Sequence, residues 1–265
     1  MLNNASIYRP KLKHEISYLV NARQKTYKYS TEIYIPNKPY EKLESGYELT
    51  KKTTRNYGIN LTSEEDKLER SRRRSYIMMK DIVLCNLFDM FITFTFKNGR
   101  DNPDLCKDRM SGWLKRRRKI DKSFQYVIVP EFHKDGVSLH FHALVSGYTG
   151  KVVRAINPKT GKPLVKKGRK VYDLPSYTLG HCEVYYIGDT EEDRLKSGFY
   201  LLKYVRKDMP IFKNKRRYWA SLGLEKPLTI ENPQEWYLAV TPDHSFETDY
   251  GKYLFFDNKQ IEIFL

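Results

Sequence analysis

Cysteine is scarce in this 265-residue chain: Cys85, Cys106 and Cys182 are its only three, odd in number and widely spaced. That excludes a disulfide framework and a CxxC zinc site, and a reducing cytosol is the expected compartment. No apolar run is long enough to span a bilayer, and the opening MLNNASIYRPKLKHEI has no apolar signal-peptide segment. No membrane partner is expected, and the protein should stay where it is made. The chain also lacks a GxxxxGK[ST] phosphate loop, since NPKTGKP (Asn157 to Pro163) misses the first glycine and the final Ser or Thr. Internal repeats and low-complexity linkers are absent too.

Acidic residues are in deficit, 32 against 48 lysines and arginines, for a formal charge of +16. The cations cluster at Arg70–Arg74 (RSRRR), Lys115–Lys119 (KRRRK), Lys166–Lys170 (KKGRK) and Lys213–Arg217 (KNKRR). A polyanion, above all nucleic acid, is the natural partner of such a surface. The 21 tyrosines and 13 phenylalanines supply a core and rings on which unstacked bases can lie.

The texture changes near residue 88, which divides the chain into a basic arm and helix over 1–87, a core over 88–227 and a strand-rich tail over 228–265. Residues 1–60 read as an extended arm with turns. Thr62 or Ser63 caps a long basic helix whose apolar stripe is expected at Ile77, Met78, Ile82 and Leu84. FDMFITFTF (Phe88 to Phe96) alternates as a strand, and Pro103 opens a helix turning Leu105, Met110, Trp113 and Leu114 inward. Phe124 to Gly147 reads as a hairpin turning at KDG (Lys134 to Gly136), and KTGKPLVKKGRK as a basic loop or ribbon. His181 to Gly188 is a strand, and Thr190 to Asp208 a helix with acids in its first turn and lysines in its last. This order predicts an α+β fold: a central antiparallel, ferredoxin-like sheet with helices packed on one side, plus an N-terminal helical extension.

Chemistry concentrates in LHFHAL. Residues i and i+2 of a strand share a face, so His140 and His142 present two imidazoles together while Phe141 serves the core. The hairpin brings Glu131 of the preceding strand opposite them, completing a three-ligand set for a divalent metal, with His133 as the alternative to Glu131. In YLLKYVRK (Tyr200 to Lys207), Tyr200 and Tyr204 share a helix face with Lys203 and Lys207 beside it. The pair can be helix packing or nucleophiles; a phenol with a pKa near ~10 needs help to attack, which a metal and lysines can give.

FITFTF, LHFHAL and YLLKYVRK, in this order and in strand, strand and helix contexts, resemble the three motifs of rolling-circle replication initiators of the HUH endonuclease superfamily. The Tyr-x-x-x-Tyr spacing with a lysine before the second tyrosine is most similar to the two-tyrosine initiators of small phages and plasmids, and KRRYWASLGL resembles the segment after the tyrosine motif in many of them. The resemblance covers about residues 75–227. It implies the RRM-like core of that superfamily, magnesium or manganese bound by His140, His142 and Glu131, and Tyr200 attacking one DNA strand to leave a 3′-OH and a 5′-phosphotyrosine. It further implies Tyr204 as a second nucleophile and Lys203 as a phosphate-positioning residue. The implied substrate is single-stranded or hairpin origin DNA in the cytoplasm of a bacterial cell or phage-infected host, with host helicase and polymerase as partners. A transposase or relaxase would share this chemistry, although relaxases commonly carry a third histidine where Glu131 stands. A non-catalytic nucleic-acid-binding protein would use the tyrosines for stacking alone and would be indifferent to metal.

Overall fold

The computed structural model describes residues 22–36, 64–205, 217–233, 235–238, 240–248 and 251–261. Thr62, Ser63, Lys207, Pro210 and most of KNKRR lie outside the described residues, as does the rest of the expected N-terminal arm. The chain forms two compact units, one of residues 1–62 with 227–265 and one of residues 63–226.

In the first unit, Arg23–Thr26 and Ser30–Pro36, within the expected arm, pair with strands of the tail. The five-stranded antiparallel sheet runs Leu228–Glu231, Arg23–Thr26, Ser30–Pro36, Gly251–Asp257, His244–Thr248. Its core is Ala22, Ile33, Tyr237, Leu254 and Phe256.

The second unit carries the site. Its elements are α1 (Glu64–Cys85), β1 (Met90–Thr95), α2 (Pro103–Ile120), β2 (Gln125–Phe132), β3 (Leu139–Ser146), β4 (Val153–Arg154), β5 (Val165–Lys166), β6 (Arg169–Lys170), β7 (Tyr172–Asp173), β8 (Cys182–Tyr186), α3 (Glu191–Val205) and β9 (Trp219–Ala220). Seven strands form one antiparallel sheet in the order β9-β2-β3-β1-β8-β7-β4, while β5 and β6 make a separate two-stranded ribbon. The fold is therefore α+β and antiparallel.

Helices cover both faces of this sheet rather than the single face expected. Alternation along β1 sends Ile92, Phe94 and Phe96 to one side, where they meet Cys106, Met110, Trp113 and Leu114 of α2 together with Phe141. Phe91 goes to the other side with Val127, Val129 and Leu144, against Met79 and Val83 of α1 and Leu201, Leu202 and Val205 of α3. A central strand with large apolar side chains on both faces requires a cover on both.

Local chemistry fixes the helix ends. Asn102 caps α2, its side chain accepting from the Leu105 amide at 3.0 Å with Pro103 in the first turn. Cys106 takes the buried place expected of Leu105, which is 36% exposed. Thr190 caps α3 by accepting from the Asp193 amide at 3.1 Å, and its hydroxyl donates to the Asp193 carboxylate at 2.7 Å. In α1 the buried stripe is Tyr76, Met79, Ile82 and Val83, whereas Ile77 and Met78 face solvent. The predicted stripe was displaced because the apolar run is wide enough to fit several helical phases. Val83 approaches α3 at Gly198, where an added Cβ would stand 2.3 Å from Val83 Cγ1. The three cysteines are buried and free. Among the described residues, no helix is long and apolar enough to cross a membrane.

Candidate active site

The β2–β3 hairpin builds the site. Gly136 takes φ +69° at its turn, and Asp135 Oδ1 accepts from the amides of Val137 and Ser138 at 3.0 and 2.7 Å. Those bonds hold the Asp135 carboxyl well below its ordinary pKa. The resulting register sets Glu131 opposite His140 and Val129 opposite His142, while β1 sets Thr93 opposite His142 on the other flank. Glu131, His140, His142 and Thr93 therefore share the α1/α3 face, continuing the apolar rows of Val127, Val129, Leu144 and Phe91.

Glu131 Oε2 lies 2.9 Å from His140 Nε2 and 2.8 Å from His142 Nε2, and the two nitrogens are 3.0 Å apart. Among the described residues, this is the group of histidine, cysteine and carboxylate side chains close enough to hold a metal ion. The donor set fits a divalent cation: neighbouring ligands of an octahedral ion at ~2.1 Å stand about 3.0 Å apart, and one carboxylate with two imidazoles suits magnesium or manganese chemistry. His142 is oriented from behind, its Nδ1 paired with Thr93 Oγ1 at 3.1 Å. His140 Nδ1 is buried without a hydrogen-bond partner among the described residues. His133 is exposed, with its ring 5.8 Å from that of His140, and takes no part in the cluster.

Helix α3 brings both tyrosines to this place. Tyr204 stacks on His142, centroids 3.9 Å apart and planes 17° from parallel. Tyr200 meets Tyr204 and Phe91 edge-on, both at 5.3 Å. Their exposures differ sharply: Tyr204 is 6% exposed and Tyr200 50%. Burial first, then a hydrogen bond with Tyr200 and the negative charges of Tyr200 and Glu131, push the Tyr204 phenol well above its ordinary pKa. Lys203 lies on the same helix, exposed.

Residues 89–209 match a family model of replication-associated proteins, the ORF2 family. The match covers a little under half of the chain and takes in Glu131, His140, His142, Tyr200, Lys203 and Tyr204. It supports a replication initiator of rolling-circle type, a DNA-replication protein whose partner would be origin DNA. No curated protein and no solved structure matches the chain.

Two features of this face escaped the motif reading. Thr93 is one; its place beside His142 comes from the alternation of FITFTF once the strand order is known. The other is a cleft of about 450 Å³ beside Tyr200, whose wall is the basic β5–β6 ribbon.

Proposed function

We propose that this protein is a metal-dependent, site-specific DNA nickase and strand transferase of the HUH type, which starts rolling-circle replication of a phage or plasmid. The observation that carries the proposal is the stack of Tyr204 on His142, which joins the helix of the tyrosines to the three-ligand cluster. The family match over residues 89–209 favours replication over transposition or mobilisation.

Glu131, His140 and His142 would hold magnesium or manganese, which when bound supplies Lewis-acid polarisation of a phosphate oxygen. Tyr200, half exposed, is the nucleophile: its phenolic oxygen bonds to the scissile phosphorus as the bond from phosphorus to the 3′ oxygen breaks. The phenol proton leaves to solvent and the departing 3′ oxygen gains one, so the products are a free 3′-OH and a 5′-phosphotyrosine. Attack by a 3′-OH on that phosphotyrosine reverses the chemistry and joins strands. Lys203, three residues from Tyr200 on the helix, offers a cation for the phosphate. Tyr204, buried and held neutral, keeps the His142 ring in place; service as a second nucleophile would require it to leave that stack. Unwinding and synthesis fall to host helicase and polymerase in the cytoplasm.

Labelled single-stranded and hairpin oligonucleotides from the replicon, incubated with manganese, test the proposal. A covalent, protease-sensitive adduct that disappears with chelator and in Tyr200→Phe is expected. Absence of any adduct across the origin-derived set refutes nickase activity.

A further inference from the structure

The cleft beside Tyr200 has an unusual charge pattern. Lys166, Lys167 and Arg169 of the ribbon line one side and Lys196 of α3 another, with Glu183 of β8 between them and Tyr200 at one end. Four cations against one carboxylate suit a phosphodiester chain. Its volume of about 450 Å³ is that of a small-ligand site, with room for a nucleotide of one strand and none for a duplex.

Glu183 is the informative residue, because a carboxylate repels phosphate. Its Oε1 pairs with Lys166 and stands 3.9 Å from His181 Nε2, and its Oε2 accepts from the Tyr185 hydroxyl at 3.1 Å. Burial and then the charge of Glu183 push that phenol up to about 12, so it remains a donor. The Arg169 guanidinium covers the Tyr185 ring at 5.2 Å and donates to the Tyr186 carbonyl at 3.2 Å, which ties the ribbon to β8. A carboxylate has about four acceptor positions, so Glu183 retains capacity for an N–H donor from a ligand. Exocyclic amino groups of cytosine and adenine are such donors, and thymine has none.

We infer that this cleft holds a nucleotide of the single strand adjoining the scissile phosphate, its phosphates on Lys166, Lys167, Arg169 and Lys196 and its base turned toward Glu183. The assignment rests on the nickase proposal for the word scissile, and it adds a preference for an amino-bearing base. Phosphates are turned outward by the same carboxylate that reads the base.

Binding of labelled oligo-dC, oligo-dA and oligo-dT to the full-length protein, measured by fluorescence anisotropy with chelator present and at several salt concentrations, tests this without cleavage. Wild type should favour oligo-dC and oligo-dA over oligo-dT, and Glu183→Gln should narrow that difference. The double variant K167Q/K196Q should bind every strand on the order of tenfold more weakly, with a salt slope lower by about 0.7 for each phosphate no longer neutralised. Unchanged affinity and slope in K167Q/K196Q, or the same base preference in Glu183→Gln as in wild type, overturns the inference. Equal weakening toward duplex DNA also overturns it, since that marks long-range charge alone. Normal adduct formation with these failures removes the cleft assignment only; the expected binding without any adduct removes nickase activity only.

Discussion

Tyr204 lies flat on His142, 3.9 Å from centroid to centroid, while Tyr200, one turn earlier on the same helix, keeps half its surface in solvent. Two identical side chains four residues apart thus occupy unlike environments. The exposed phenol can meet a phosphate without rearrangement. The buried one is held by desolvation in its neutral, poorly nucleophilic form.

Substitution of each tyrosine should separate these roles. Tyr200→Phe should abolish the covalent adduct while the fold and metal affinity stay intact. Tyr204→Phe keeps the ring on His142 and should retain first cleavage, losing at most the contribution of one hydrogen bond, about 1 kcal/mol of stability. Tyr204→Ala should cost about 3–5 kcal/mol and reduce cleavage as well. Denaturant midpoints and adduct yields, read side by side, check all three. Loss of strand transfer alone in Tyr204→Phe would instead make Tyr204 a second nucleophile.

Thr93 should matter through His142 rather than through the substrate. Its Oγ1 is 3.1 Å from His142 Nδ1, so Thr93→Val removes that partner at nearly constant volume. Loss of a partner behind a ligating histidine typically weakens metal binding by about 10–100-fold. Calorimetric titration with manganese should show a fall of that order in Thr93→Val and recovery in Thr93→Ser. Failure of the serine variant to recover would point to packing instead.

Much of this site was legible from spacing alone. Period-two alternation put His140 and His142 on one face, the KDG turn fixed Glu131 opposite them, and four-residue spacing aligned Tyr200 with Tyr204. The part that stayed hidden depends on elements distant in sequence. The order of strands around β3 places Thr93 behind His142, and the ribbon at Lys166–Lys170 reaches Tyr200 through a cleft that no local pattern encodes. The helix on each sheet face also needed three dimensions, because a run such as FITFTF reports two apolar rows without saying which helix covers which. The pairing of Ser30–Pro36 with Gly251–Asp257 joins residues more than two hundred positions apart, beyond any periodicity.

Alkaline pH should destabilise the protein through its buried tyrosines. Tyr177 donates to the Thr95 carbonyl at 2.8 Å, and burial first, then Cys182 and Cys106, raises its pKa. Below about pH 10, the phenol is protonated in folded and unfolded chains alike and contributes no pH dependence. Above it, the unfolded chain ionises while the folded one does not, so stability falls as pH rises from there toward the folded pKa. Tyr177→Phe should cost about 1 kcal/mol at neutral pH and yet show a shallower decline above about pH 10. Urea midpoints across that range provide the comparison, and parallel declines in both proteins would assign the effect to other groups.

The crossing of α1 and α3 depends on Gly198, and through it the position of both tyrosines. A Cβ there would lie 2.3 Å from Val83 Cγ1, so Gly198→Ala must push the helices apart or force Val83 off its rotamer. Overpacking of this kind costs about 1–3 kcal/mol, against which the better helix propensity of alanine returns under about 1 kcal/mol. Val83→Ala alone opens a small cavity and should destabilise as well. Combined, the two changes exchange volume across the contact, and the double variant should be more stable than the sum of the single losses predicts. A double-mutant cycle on denaturant midpoints measures that coupling, expected at about 0.5–3 kcal/mol for residues in contact. Strict additivity would show that the helices do not meet at this pair. Cleavage should fall in Gly198→Ala along with stability and recover in the double variant, since α3 sets where Tyr200 stands relative to Glu131, His140 and His142.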